Sequence, residues 1–112
     1  MASKKRYCIT ASAFDSKGRL ICTRTNLYNK THPLQKHFAN LAGEPYKEAL
    51  HAEIACLIAA KDAKVHSMTV IRYDGNGNFK QACPCKTCRT AIESYGVKKV
   101  YYSTPNGMEE LK

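Results

Sequence analysis

Two runs near the N-terminus, Arg6 to Phe14 (RYCITASAF) and Arg19 to Thr25 (RLICTRT), are rich in β-branched and aromatic residues. Asp15-Ser16-Lys17-Gly18 between them is turn chemistry, so the pair predicts an opening β-hairpin. From Asn26 to Lys47 the pattern weakens: His32-Pro33 and Gly43 are breaks, and Leu34 to Ala42 suits a short helix. Glu48 to Lys61 (EALHAEIACLIAAK) combines strong helix formers with apolar residues on nearly every side after Glu53, the composition of a helix packed deep against a sheet. Ser67 to Tyr73 (SMTVIRY) predicts a third strand, and Asp74 to Asn78 (DGNGN) a loop after it. A second major helix is predicted from about Pro84 to Tyr95, with proline in its first turn and Gly96 just past its end.

Val97 to Ser103 (VKKVYYS) predicts a fourth strand. Only nine residues follow it, fewer than a parallel crossover needs, so a last strand over Met108 to Lys112 must turn straight back, with Asn106-Gly107 as the turn signal. The predicted order is β-β-α-β-α-β-β, an α/β fold with a mixed sheet of about five strands. At 112 residues the chain suits one domain with one core and one site.

Composition narrows the class. The chain is 44% hydrophobic and 24% charged, ordinary for a folded globular protein, and no repeat or low-complexity tract is visible. The basic start, Met1 to Arg6, is not followed by an apolar stretch long enough for a signal peptide or a membrane span, so a cytoplasmic protein with no membrane partner is expected. The +9 charge is uneven: residues 1–47 hold nine Lys and Arg against Asp15 and Glu44, whereas residues 48–112 hold nine against seven acids. Such a field favours an anionic substrate, either a nucleotide or a single-stranded nucleic acid, although a merely soluble basic surface explains it too.

Three of the six cysteines, Cys83, Cys85 and Cys88, fall within six residues, which argues for metal rather than a disulfide framework. Cys8, Cys22 and Cys56 lie in apolar stretches and read as small core residues. In Cys85-Lys86-Thr87-Cys88 the two thiols share one face of a helical turn, and a helix N-terminus favours thiolate. Alone, this spacing leaves structural zinc, a redox pair and chance open. Upstream, His51-Ala52-Glu53 places an imidazole and then a carboxylate at the edge of an apolar helix, where burying an unpaired charge is costly. Residues two apart on a helix point about 200° apart, so His51 must stand at the helix start if Glu53 shares its site. One His and two Cys leave the fourth position of a tetrahedral ion open, the arrangement of catalytic zinc, with Glu53 as the proton carrier.

His51-Ala52-Glu53 followed by Pro84-Cys85-Lys86-Thr87-Cys88 resembles H-x-E…P-C-x-x-C, the signature of the zinc-dependent cytidine/deoxycytidylate deaminase superfamily. The compact chain is similar to small phage-type members, and the resemblance covers nearly its whole length. It implies a three-layer α/β/α fold and a Zn2+ cofactor on His51, Cys85 and Cys88. It also implies Glu53 as the catalytic acid and base, Asn26 on the sugar, the Ala52 amide on the base, and a homo-oligomer. The implied activity is hydrolysis of cytosine to uracil in a nucleoside or nucleotide. A polynucleotide cytosine deaminase is the alternative, and a nucleic-acid-binding module with structural zinc a further one. The terminal hairpin resembles the free-cytidine branch and several deaminase toxins. A metal-bound Cys83 would close the open position, and His32 could reach substrate from its segment.

Overall fold

The structure, a computed structural model, describes residues 8–26, 31–46, 50–61 and 63–111. The expected strand start at Arg6, the side chain of Cys8, Tyr28 and Lys30 lie outside them, as does Glu48; Leu50 and His51 are described and not helical, so the helix expected from Glu48 begins only at Ala52, after the extended backbone of His51. Strands β1 (Cys8–Phe14) and β2 (Leu20–Thr25) form the opening antiparallel hairpin. Its turn is built by Asp15, whose Oδ1 accepts the amides of Lys17 and Arg19 at 2.9 Å each, while Gly18 takes a φ of 79° that only glycine adopts freely.

Helix α1 (Pro33–Leu41) begins on the proline, whose missing N–H costs nothing at that position, and His32 Nδ1 caps it by accepting the Leu34 amide at 3.1 Å. Helix α2 (Ala52–Ala60) buries Ile54, Cys56 and Leu57 almost completely. It lies on β1 and β2, with Ala11 and Ala13 beneath it in the same core. Fully buried alanines on the strand let a helix come close, which explains why this position holds no larger side chain.

Strand β3 (Ser67–Tyr73) pairs antiparallel with β1 and parallel with β5 (Lys99–Thr104), the crossover being α3 (Lys86–Ser94). Strand β6 (Gly107–Glu110) closes a C-terminal antiparallel hairpin, giving the order β2-β1-β3-β5-β6. The mixed α/β architecture is the expected one, with three departures besides the later start of the helix expected from Glu48. A short strand β4 (Phe79–Lys80) pairs with Arg72 and Tyr73, so the sheet has six strands and the Asp74–Asn78 segment is a hairpin turn. Asp74 Oδ1 accepts the amides of Asn76 and Asn78, repeating the Asp15 turn. The last turn is centred on Pro105-Asn106 rather than Asn106-Gly107, because Thr104 pairs with Gly107 and Thr104 Oγ1 accepts the Asn106 amide. Third, α3 starts after Pro84, which lies outside the helix, because Cys85 keeps an extended backbone (φ −72°, ψ 171°). No helix of the described residues is long and apolar enough to cross a membrane.

Candidate metal centre and its pocket

The two segments that carry the candidate donors meet because two helices start at the same place. His51 is the N-cap of α2 (φ −81°, ψ 153°) and Cys85 the N-cap of α3, each accepting the first intrahelical bond through its carbonyl, from Ala55 and Arg89. An N-cap residue has extended backbone, so its side chain leaves the helix end instead of wrapping onto its flank. His51 can therefore face the same point as Glu53. Cys88, three residues into α3, is fully buried beneath that point.

His51 Nδ1 lies 3.6 Å from Cys85 Sγ and 3.3 Å from Cys88 Sγ, and the three donor atoms all fall within 4.8 Å of one another. Two ligands at zinc bond lengths of about 2.1 Å (nitrogen) and 2.3 Å (sulfur) in a tetrahedron stand about 3.6 Å apart. The nitrogen and sulfur spacings here agree with that value, so the donor set fits Zn2+. The hydrogen bond shared by Cys85 and Cys88, with His51 alongside, holds the Cys85 thiol down to about 3, while that same bond and burial push Cys88 up. A thiolate is thus already favoured at Cys85, the form that ligates metal.

Glu53 is only 5% exposed, and burial raises its carboxyl above the ordinary value, opposed by its own backbone amide and by the nearby His51. It opens onto a cavity of about 290 Å³ walled by Ile9, Asn26, Leu50, His51, Ala52, Arg72, Gln81, Ala82, Cys83 and Cys85. Asn26 Oδ1 accepts the Ile9 amide at 3.3 Å, which commits its oxygen to the sheet and leaves the NH2 side as the face it can offer a ligand. A larger cavity of about 730 Å³ lies at the other end of α2, among Asp15, Arg19, Leu57, Lys64, His66 and Lys98. It contains none of the clustered donors, so the smaller cavity is the candidate site.

The structure brings His51, Glu53, Cys85, Cys88, Asn26 and Ala52 to this one place. Cys83 is in the wall but outside the donor cluster, and Arg89 Nη2 donates to its sulfur at 3.2 Å. His32 caps α1, His37 stacks its ring edge-on to Phe38, and His66 borders the larger cavity. Arg24 is exposed and donates to the Thr23 carbonyl, and Tyr102 is packed against the core. Cys56 is buried with its thiol pushed well up by desolvation, and Cys22 Sγ lies 3.3 Å from it, both as free thiols. Arg72 and Gln81 were not foreseen in the wall. Only the break in apolar alternation at Arg72 on β3 hints at a polar cavity there.

A family model, the cytidine and deoxycytidylate deaminase zinc-binding region, matches residues 1–104. The fold is similar to that of a glutamate-to-glutamine mutant of cytidine deaminase from Mycobacterium tuberculosis, with a TM-score of 0.53 and 20% identity over 93% of this chain and 72% of that one. Comparison with curated protein sequences returned no match. With the family model spanning nearly the whole chain and the donor set fitting zinc, the chain belongs to the cytidine and deoxycytidylate deaminase family.

Proposed function

We propose that the protein hydrolyses the 4-amino group of cytosine in a nucleoside or nucleotide, with His51, Cys85 and Cys88 holding zinc. The observation that carries this reading is a buried carboxyl, Glu53, opening with His51 and Cys85 onto one small cavity, with Cys88 buried in the same donor cluster. At about 290 Å³ that cavity stands at the lower end of small-molecule sites, roughly 300 Å³ and upward, the scale of a single nucleoside. Zinc, when bound, supplies Lewis acidity and makes a water molecule acidic enough to lose a proton near neutral pH.

Glu53 takes that proton and delivers it to the ring nitrogen; it then takes the proton of the new C4 hydroxyl and passes it to the departing amine. One water is consumed, the C4–N bond is exchanged for C4–O, and ammonia leaves. Burial suits the carboxylate to this work, because a raised carboxyl pKa makes it a better base than an exposed glutamate. The Ala52 amide stands at the first position of α2, where the helix itself has no acceptor for it, and serves the base. Asn26 serves the sugar through its NH2, and Arg72 puts a cation in the wall.

Single-stranded DNA or RNA is a second reading, favoured by the +9 charge. Ammonia release by zinc-loaded protein on cytidine, deoxycytidine, CMP, dCMP, single-stranded DNA and single-stranded RNA in parallel tests both. Turnover of the monomers supports the first reading and turnover of the polymer alone the second. Zinc binding without turnover of any of them refutes both.

A further inference from the structure

The two helices that carry the proposed ligands have each given up their own N-terminal cap. At most helix starts the N-cap side chain accepts the amide of the second or third helical residue, and a Glu or Gln at the third position accepts the N-cap amide in return. Neither happens within α2 or α3. The side chains of His51 and Cys85 make no cap bond, and the third residues of the two helices are Ile54 and Cys88.

Both duties are met from the α1 region instead. Gln35, fully buried in the first turn of α1, accepts the His51 amide through Oε1 at 3.2 Å. Glu44 Oε1 accepts the amide of Thr87 at 3.2 Å and its hydroxyl at 2.7 Å. Thr87 is the second residue of α3, fully buried, and lies between Cys85 and Cys88. Glu44 is itself held rigidly. Helix α1 ends in paired bonds from the Glu44 amide to the Ala39 carbonyl (2.7 Å) and from the Gly43 amide to the Asn40 carbonyl (3.1 Å), with Gly43 at φ 76°.

We propose that Gln35 and Glu44 are the positioning residues of the metal centre, the first fixing the peptide that aims His51 and the second fixing the turn that spaces Cys85 from Cys88. The inference rests on the ligand reading above. Partners one bond removed from a ligand set its orientation and hence the affinity for the ion.

The test measures Zn2+ affinity by chelator competition, and the visible absorption of the Co2+-substituted 112-residue chain, in Gln35→Ala, Glu44→Ala and Glu44→Gln. Each alanine variant is expected to bind zinc about 10- to 100-fold more weakly and to lose the intensity of the tetrahedral cobalt bands. Glu44→Gln is expected within about threefold of wild type, because its amide oxygen still accepts from Thr87. If Glu44→Ala does not fold, Thr87→Val, which deletes the hydroxyl donor at nearly constant shape, carries the same expectation. Folded alanine variants with wild-type affinity and cobalt spectrum overturn the inference while leaving the ligands standing. A wild-type protein that binds neither metal overturns the ligand reading and this inference with it.

Discussion

Replacing Glu53 by glutamine separates a proton carrier from a structural carboxylate, because the two roles differ in size by orders of magnitude. As structure, Glu53 contributes little. It stands in the first turn of α2, where a negative charge gains about 0.3–1 kcal/mol from the helix dipole, while its burial works against the charge. At about 2.1 cal/mol/K of unfolding entropy per residue, 112 residues convert 1 kcal/mol into a melting shift of about 4 °C. As proton carrier, Glu53 contributes about 10²- to 10⁴-fold in rate, or roughly 2.7–5.5 kcal/mol of barrier. Glutamine keeps the shape and one hydrogen-bonding oxygen, and removes the ability to exchange a proton together with the small contribution of the charge. The expected result is a zinc-loaded Glu53→Gln protein that melts within about 4 °C of wild type and releases ammonia at least about 100-fold more slowly on the best substrate. A variant that binds zinc, melts normally and keeps more than about a tenth of the rate would refute the role.

Asn26→Asp keeps the oxygen that accepts the Ile9 amide but removes the NH2, so KM should rise about tenfold or more with the melting point little changed; an unchanged KM removes Asn26 from the substrate site. Stripping zinc with a chelator should lower the melting temperature by roughly 17 °C relative to protein in free zinc at a thousand times its Kd, the equivalent of about 4 kcal/mol. An identical melt in both conditions counts against a site that joins α2 to α3. Leu57→Ala, at a side chain 1% exposed in α2, should cost about 2–5 kcal/mol by urea unfolding, and a loss under about 1 kcal/mol would mean that the helix is less tightly packed than described. Backbone amides and neighbouring cations hold the Asp15 and Asp74 carboxyls below their ordinary value of 3.8. Their contribution to stability is complete above that value and is lost as pH falls through the lower folded values. The stability gap between wild type and an Asp15→Asn/Asp74→Asn protein should therefore be widest above about pH 5 and close in acid; a gap constant down to about pH 2 contradicts it.

Much of the fold was legible because its signals are local. The Asp15–Gly18 turn, the apolar run of α2, the strand Ser67–Tyr73 and the glycine ending α3 each depend on residues within a few positions of one another. The turn that leads into the missed strand β4 was legible by the same rule. Asp74 and Gly77 repeat the spacing of Asp15 and Gly18, but a partner strand of two residues is too short to show alternation. The start of α3 was misplaced by one turn feature, because proline suits both the first helical position and the residue before the cap, and only the extended backbone of Cys85 decides between them.

The chain alone determined the chemical inventory. An imidazole, two thiols and a carboxylate at these spacings have few uses, and the requirement that His51 and Glu53 share a site already placed His51 at a helix start. What only the tertiary structure decided is how those groups are aimed. The bonds from Gln35 to His51 and from Glu44 to Thr87 cross 16 and 43 residues, and the placing of Arg72 in the cavity wall depends on the pairing of β3 with its neighbours. Sequence spacing records contacts made along a helix or across a turn. A hydrogen bond between distant segments leaves no periodicity behind, so the supports of the site become visible only when the helices are packed.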